Sequence, residues 1–196
     1  MMPVMDGLSF CSQVKNNFAT CHIPVVLLTA YDSRQNNMES IRAGADEYIS
    51  KPFSIDILKS RCRNLLENRK RLQQKFSVNS AGIEHLTKDS RDKEFLMNVT
   101  LCVEENISDY NLNVNTLCEY TSMSRTILTE KIKGLTGYTP REFIEVIRFK
   151  KAALLLKETD MTISEISYEV GFNSQKYFSS RFKKQFGKTP SEWAER

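Results

Sequence analysis

A segment near the C-terminal end occurs twice, fifty residues apart, and this repeat constrains the fold more than any other feature of the sequence. Lys133–Phe143 matches Lys183–Trp193 in a lysine, a glycine, a Thr-Pro pair, a glutamate and a final aromatic residue. Upstream, the offset becomes 49, so that Met123 corresponds to Phe172. The chain therefore contains two copies of one structural unit that differ by one residue in a turn.

Both copies carry the same signals for helices and turns. A short helix, a tight turn and a second helix lead to a glycine, Gly137 or Gly187, that can adopt the left-handed conformation at a helix end. A capping box follows each glycine, in Thr139–Glu142 and Thr189–Glu192. One long helix over Pro140–Thr159 joins the copies. The repeat therefore predicts an all-α domain with tandem helix-turn-helix units.

Two such units present two reading helices on one side of a domain. Helices separated by about one duplex turn, ~34 Å, enter successive major grooves. The second helix is also basic, which favours contact with phosphates. A generic helical bundle with duplicated packing is the alternative, which the basic helix and the matched turns disfavour. The basic stretch 176–188 has no acid and contains Lys176, Arg181, Lys183, Lys184 and Lys188.

The net charge of +4 is distributed unevenly along the chain. Residues 1–58 carry four basic and six acidic side chains, and residues 91–196 carry sixteen basic and fifteen acidic ones. Residues 59–75 carry seven basic side chains and only Glu67 as an acid. We interpret this run as a solvated helix face and assign the DNA contact to the stretch 176–188.

The N-terminal part alternates helix and strand patterns at the spacing of an α/β fold. The β-branched and leucine run Ile23–Leu28 suits a strand buried on both faces. Residues 77–90 are polar, which predicts a linker between an α/β domain over 1–76 and the all-α domain over 91–196. The predicted α/β elements are helix, strand, helix, strand and helix over Gly7–Asn17, Ile23–Leu28, Gln35–Ala43, Glu47–Ser50 and Ile55–Phe76.

The residue types also argue against several classes of function. Five scattered cysteines without a CxxC pair predict buried free thiols, and two distant histidines do not suggest a metal site. We find no nucleophile paired with a base and no phosphate-binding glycine loop, so we expect no enzyme, cofactor or small-molecule substrate. The longest apolar run, Ile23–Ala30, is too short to cross a bilayer, and we expect a cytoplasmic protein.

The stretch Glu169–Trp193, EVGFNSQKYFSSRFKKQFGKTPSEW, resembles the C-terminal signature of the AraC/XylS family of transcription regulators. The resemblance extends over residues 91–196, the whole DNA-binding domain of that family. It implies seven helices, of which the third and sixth enter adjacent major grooves of double-stranded DNA. By position, it implies that the bases are contacted by Arg125, Thr126, Thr129, Glu130, Gln175, Lys176, Ser179 and Ser180.

The chemistry of these side chains supports the assignments unevenly. Glutamine pairs bidentately with adenine and lysine binds guanine, so Gln175 and Lys176 are the strongest candidates for reading bases. Phosphate contacts fix the register on DNA and carry little sequence information. We assign them to Lys133, Lys183 and Lys184. The apolar positions have the spacing of a core stripe and are assigned to packing, namely Leu128, Ile132, Phe178, Phe182 and Phe186.

The N-terminal part resembles the second half of a response regulator receiver domain, which has a flavodoxin-like fold. In that family, a threonine hydroxyl and a lysine ammonium contact the phosphorylated aspartate, and an aromatic residue changes rotamer. The resemblance assigns these roles to Thr29, Lys51 and Tyr48. It is carried by the segments Met1–Gly7, Val26–Ala30 and Tyr48–Phe53.

The chain departs from the receiver pattern at the phosphorylation site. The acceptor aspartate is expected just before Met1 and the Mg²⁺-binding acids much earlier, whereas Asp6 lies in the loop after the acceptor. We therefore expect no phosphorylation of this fragment, and Mg²⁺ only in an intact receiver domain. Without the first three strands, the sheet is expected to expose an apolar edge and face.

The domain order resembles the output end of a hybrid two-component regulator, which fuses both halves of a phosphorelay. We expect a DNA-binding transcription regulator whose full-length form is a homodimer and carries a histidine kinase domain, with this chain cytoplasmic even where the sensor is membrane-bound. One alternative is a dimerisation or scaffolding piece built on the helix Ile55–Phe76. The other is part of a phosphoryl-transfer enzyme that uses Thr29 and Lys51.

Overall fold

A computed structural model describes residues 5–30, 42–78, 86 and 89–195. The chain forms two compact units, Met1–Gln73 and Gln74–Arg196, which we call the N-terminal unit and the helical unit. The helix predicted over Gln35–Ala43 lies outside the described residues except for its last two positions. Most of the predicted linker 77–90 also lies outside them.

The N-terminal unit contains two parallel strands and two helices among its described residues. The strands pair in register with Val26 opposite Glu47, as expected for a parallel α/β fold. Asp6 caps the first helix because its side chain accepts a hydrogen bond from the Ser9 amide at 2.7 Å. The elements are α1 (Gly7–Asn16), β1 (Val26–Thr29), β2 (Glu47–Ser50) and α2 (Ile55–Val78).

The prediction that the first strand is buried on both faces is wrong. The strand begins at Val26 rather than Ile23, and Leu28 is 44% exposed. Cys11, Cys21 and Ile49 are the buried apolar residues among the described positions of this unit. Among the described residues, β1 therefore leaves an apolar surface exposed at Leu28.

The helical unit contains seven helices over residues 89–195, the number that the resemblance implies. Capping boxes form at Thr139, Thr162 and Thr189, and Gly137 and Gly187 end their helices with φ of 81° and 76°. The sequence signals for helix ends are thus confirmed. The helices are α3 (Ser90–Glu105), α4 (Val114–Thr121), α5 (Arg125–Thr136), α6 (Pro140–Glu158), α7 (Ile163–Glu169), α8 (Gln175–Phe186) and α9 (Pro190–Ala194).

The two tight turns share a left-handed residue at corresponding positions, 49 residues apart. Ser122 follows α4 with φ of 54°, and Gly171 follows α7 with φ of 79°. Only the second turn needs glycine for lack of space. A Cβ at Gly171 would clash with the carbonyl oxygen of Ile107 and lie 2.7 Å from Nη2 of Arg148.

The core of the second helix-turn-helix unit is aromatic. Phe149 of α6 stacks on Phe172 with ring centroids 5.1 Å apart and meets Phe182 edge to face at 6.0 Å. Trp193 of α9 closes this cluster against Phe182 and Phe186. The predicted core stripe is confirmed for Leu128, Ile132, Phe178 and Phe182, which are fully buried, while Phe186 is half-buried at the edge.

A buried ion pair ties α5 to α3. The ammonium of Lys131 lies 2.5 Å from Oδ1 of Asp92, and both side chains are almost completely inaccessible to solvent. The ring of Phe95 lies 5.4 Å from the same ammonium. Because taking both charges out of water is costly, the pair depends on close mutual contact.

The guanidinium of Arg148 connects the two halves of the helical unit. Its Nη1 donates to the carbonyl of Gly171 at 3.0 Å, and its Nη2 donates to the carbonyl of Asp109 at 2.5 Å. One acceptor lies in the loop after α3 and the other in the turn of the second unit. Arg148, on the linking helix, thereby holds the loop before α4 and the turn of the second helix-turn-helix unit to α6.

We predict that replacing Lys131 with methionine lowers the free energy of unfolding by about 3 to 5 kcal/mol, because the Asp92 carboxylate stays buried without this ammonium. Adding Asp92→Leu removes the stranded charge and is expected to recover most of the loss. Guanidinium chloride unfolding, followed by circular dichroism and by the fluorescence of Trp193, the single tryptophan, measures both. Lys133→Met, at an exposed position, is the control, with an expected change below about 0.5 kcal/mol. If the double variant were as unstable as K131M, the loss would come from altered packing at position 131 and not from the unpaired Asp92 carboxylate.

We also predict that Gly171→Ala destabilises the helical unit more than Gly187→Ala does. Both glycines have a left-handed φ, whose cost for alanine is about 1 to 2 kcal/mol. A Cβ at Gly187 meets no atom within 4 Å, so that variant measures backbone strain alone. The extra loss at Gly171 then measures the clash with Ile107 and Arg148. Equal losses in the same unfolding assay would contradict this description of the turn.

Candidate nucleic-acid interface

Helix α5 has one buried and one exposed side, and the predicted contact residues lie on or beside the exposed one. Its buried side consists of Leu128, Lys131, Ile132, Leu135 and Thr136. Among the residues predicted to contact bases or phosphate, Thr129 is half-buried at the boundary, while the exposed ones are Arg125, Thr126, Glu130 and Lys133.

Helix α8 repeats this arrangement fifty residues later. Its buried residues are Phe178 and Phe182, which correspond to Leu128 and Ile132. Ser179 is half-buried, as is its counterpart Thr129. The two helices therefore offer matched surfaces, although the side chains on them differ. The exposed residues of α8 that were predicted to contact DNA are Gln175, Lys176, Ser180, Lys183 and Lys184.

Arg181 belongs to the basic stretch but is engaged inside the helical unit. Its Nε and Nη2 donate to Oε2 of Glu145 on α6 at 3.1 and 2.6 Å, and Tyr177 donates to Oε1 at 3.0 Å. The hydrogen bond to Glu145 raises the pKa of Arg181. Arg181 occupies the position of Lys131 in the repeat, a correspondence that the sequence analysis missed.

The charges that remain on the two surfaces are unequal. α8 presents Lys176, Lys183 and Lys184 with no acidic residue in the helix. α5 presents Arg125 and Lys133 together with the carboxylate of Glu130. Since phosphates attract cations and repel carboxylates, α8 carries the stronger potential for binding DNA.

In the N-terminal unit, two of the three predicted switch residues come together at the carboxyl ends of the strands. The amide of Lys51 donates to the carbonyl of Thr29 at 2.6 Å. The Lys51 side chain is exposed, Thr29 is half-buried, and Tyr48 lies within β2 opposite Leu27. This is the edge at which ligands bind in open parallel sheets.

The basic run 59–75 is partly used within the N-terminal unit. Arg61 forms an ion pair with Glu47 at 3.1 Å, and Arg69 donates to the carbonyl of His22 at 2.5 Å. These bonds attach α2 to the strand edge and the loop before β1. The other described basic side chains of the run are exposed, as the sequence predicts, namely Lys59, Arg63, Lys70 and Arg71.

Among the described residues, no group of three His, Cys, Asp or Glu side chains is placed to hold a metal ion. In the same part of the chain, no helix is long and apolar enough to cross a membrane. All five cysteines are free thiols, of which Cys11, Cys21 and Cys102 are buried.

Two protein families match separate parts of the chain. The response regulator receiver domain family matches residues 1–63, and the helix-turn-helix domain family matches residues 117–196. The second match includes α5 and α8, whereas α3 lies before it. A similar protein, histidine kinase P4 of Formosa agariphila, is 45% identical over the whole chain, which spans 14% of that protein.

Other relatives match part of the chain. The HTH-type transcriptional regulator MtrA of Neisseria gonorrhoeae is 35% identical over 41% of this chain and 27% of its own length. A solved transcriptional regulator from Chromobacterium violaceum, described by its AraC-type DNA-binding domain, has a TM-score of 0.50 and 27% identity over 54% of this chain and 94% of its own. The chain thus carries response regulator receiver sequence over residues 1–63, followed by an AraC-type helix-turn-helix domain over residues 117–196.

Proposed function

We propose that this chain is the output portion of a two-component phosphorelay and regulates transcription by binding a specific DNA sequence, with α5 and α8 in adjacent major grooves. One observation carries the proposal. Corresponding positions on α5 and α8 stay exposed while the opposite side of each helix packs into the core. Side chains that read bases must be free of such packing.

The residues divide into two kinds of DNA contact. Exposed Gln175 and Lys176, in the first turn of α8, have the chemistry to read adenine and guanine. Lys133, Lys183 and Lys184 lie toward the ends of the helices and bind phosphates. The other base contacts are assigned to Arg125, Thr126, Thr129, Glu130, Ser179 and Ser180.

Regulation in the full-length protein is assigned to a receiver domain and a histidine kinase domain in the same polypeptide. The support is the similarity along the whole chain to a relative named as a histidine kinase, of which this chain spans 14%. An intact receiver domain would bring the acidic residues that bind Mg²⁺. Thr29 and Lys51 at the strand ends suit contact with its aspartyl phosphate.

The alternatives are less well supported. A scaffolding fragment or a phosphoryl-transfer enzyme does not account for the exposed surfaces of α5 and α8. It also does not account for the match of residues 117–196 to a DNA-binding helix-turn-helix family.

We propose further that the full-length protein is a homodimer, with α2 as a contact between copies. Ile55 and Leu66, about three helical turns apart on one side of α2, are 65% and 58% exposed. Burying both in a second copy removes apolar surface from water.

We predict that Gln175→Ala and Lys176→Ala each lose about 1 to 3 kcal/mol of discrimination at particular base pairs, because one base contact is removed. Lys183→Ala is expected to weaken binding to all sequences similarly, because a phosphate contact carries no base information. Fluorescence anisotropy with duplexes selected from a random pool, and with single-base variants of them, measures both effects.

The assay also defines what would refute the assignments. Equal losses on every duplex for all three variants would show that the reading surface lies elsewhere. If no selected duplex binds better than bulk DNA at moderate salt, the proposed function is wrong.

We predict that Leu66→Glu shifts the chain from dimer to monomer, because a buried carboxylate opposes the contact between copies. Size-exclusion chromatography with light scattering at micromolar concentrations measures the mass. Ile57→Glu is the control, since Ile57 is 51% exposed on the opposite side of α2 and should leave the dimer intact. A wild-type chain that stays monomeric would exclude α2 as the dimer contact.

A further inference from the structure

A groove of about 470 Å³ lies between the two helix-turn-helix units. Both units and the linking helix contribute to its walls. The first unit supplies residues 110–115 and Arg125, α6 supplies Arg141 and Arg148, and the second unit supplies residues 171–173 and Tyr177. The groove therefore lies between the two helices assigned to the major grooves.

The N-terminal turns of four helices meet at this groove. Val114 is the first residue of α4, Arg125 the first of α5, Arg141 the second of α6 and Tyr177 the third of α8, and all four line it. Each of these helices has at least eight residues. Side chains cap all four ends, and Glu142 places a carboxylate at the end of α6, so the helix ends add only a small positive field to the groove.

Three arginines add full positive charges to the groove. The side chain of Arg141 is 79% exposed, and its Nε lies 3.7 Å from Oε1 of Glu145 in an ion pair within α6. Arg148 is only 6% exposed, and its Nε is buried without a hydrogen-bond partner among the described residues. Glu145 is the one acidic residue among those described as lining the groove, and its carboxylate contacts Arg181, Tyr177 and Arg141, so three arginines in the lining face one shared carboxylate. The groove therefore keeps a positive potential.

We propose that this groove binds the phosphodiester backbone of the DNA segment between the two major grooves, with Arg141 as the principal phosphate contact. The inference rests on the proposed function. When α5 and α8 occupy successive major grooves, the minor groove between them and its flanking phosphates pass across the space that separates the helices. A narrow groove with arginines and helix N-termini suits a phosphate better than a base edge.

The first test compares three variants of the whole chain by anisotropy at several salt concentrations. Arg141→Ala is expected to weaken every duplex about five- to tenfold and to reduce the salt slope by about 1, because one phosphate contact is lost. Arg141→Lys should retain most of the affinity, since a phosphate accepts either cation. Lys151→Ala is the matched control, an exposed lysine ten residues further along α6 and outside the groove, and should change little.

The second test neutralises the DNA instead of the protein. A single methylphosphonate at a central linkage of the selected duplex should weaken the wild-type chain, yet weaken Arg141→Ala no further. Independent, additive losses would overturn the proposal. The proposal would also be overturned if Arg141→Ala bound every duplex with the affinity of the wild-type chain. The same holds if the wild-type chain, but not Arg141→Ala, bound inorganic phosphate in titration calorimetry while central methylphosphonates left its DNA affinity unchanged. If the wild-type chain bound all duplexes equally well but Arg141→Ala still bound them more weakly, the proposed sequence-specific function would be refuted. The assignment of the groove to phosphate binding would be supported.

Discussion

A cation at one position of each recognition helix, bound to a carboxylate on an earlier helix, is the interaction on which the DNA-binding surface depends. Lys131 of α5 binds Asp92 of α3, and fifty residues later Arg181 of α8 binds Glu145 of α6. Each bond fixes the rotation of its helix about its own axis. The residues beside the cation consequently face solvent, where they can contact DNA. They are Glu130 and Lys133 in α5, and Ser180 and Lys183 in α8.

The two versions of this bond differ in their exposure to water. The first is buried, and its contribution balances a large desolvation cost against close contact between the charges. In the second, Arg181 is 31% exposed and Glu145 10%, and the carboxylate also accepts a hydrogen bond from Tyr177. Water and a third partner reduce the cost of the charges there. The second unit relies instead on its aromatic core around Phe149 and Phe182 for packing.

The sequence predicts most of the local structure of the helical unit but not these charged contacts. Capping boxes and the glycines that end helices act through neighbouring residues, so their signals are visible in short segments. The partner of Lys131 lies 39 residues away, and lysine is a residue type that is usually exposed, although Lys131 has the spacing of the core stripe. Arg181 was counted with the phosphate-binding stretch for the same reason. Likewise, the exposure of Leu28 in β1 depends on neighbouring elements that no local pattern specifies.

The buried guanidinium of Arg148 constrains the spacing between α5 and α8, in addition to the ion pairs that fix the rotation of each helix. Because it binds the carbonyls of Asp109 and Gly171, the loop before α4 and the turn of the second unit cannot separate without leaving a buried charge unsatisfied. The clash that a side chain at Gly171 would make with Ile107 shows how closely they approach. In the proposed DNA complex, reading helices held at a fixed spacing would leave the adjustment to the duplex. We therefore expect base pairs at the centre of the site to affect affinity through their ease of bending.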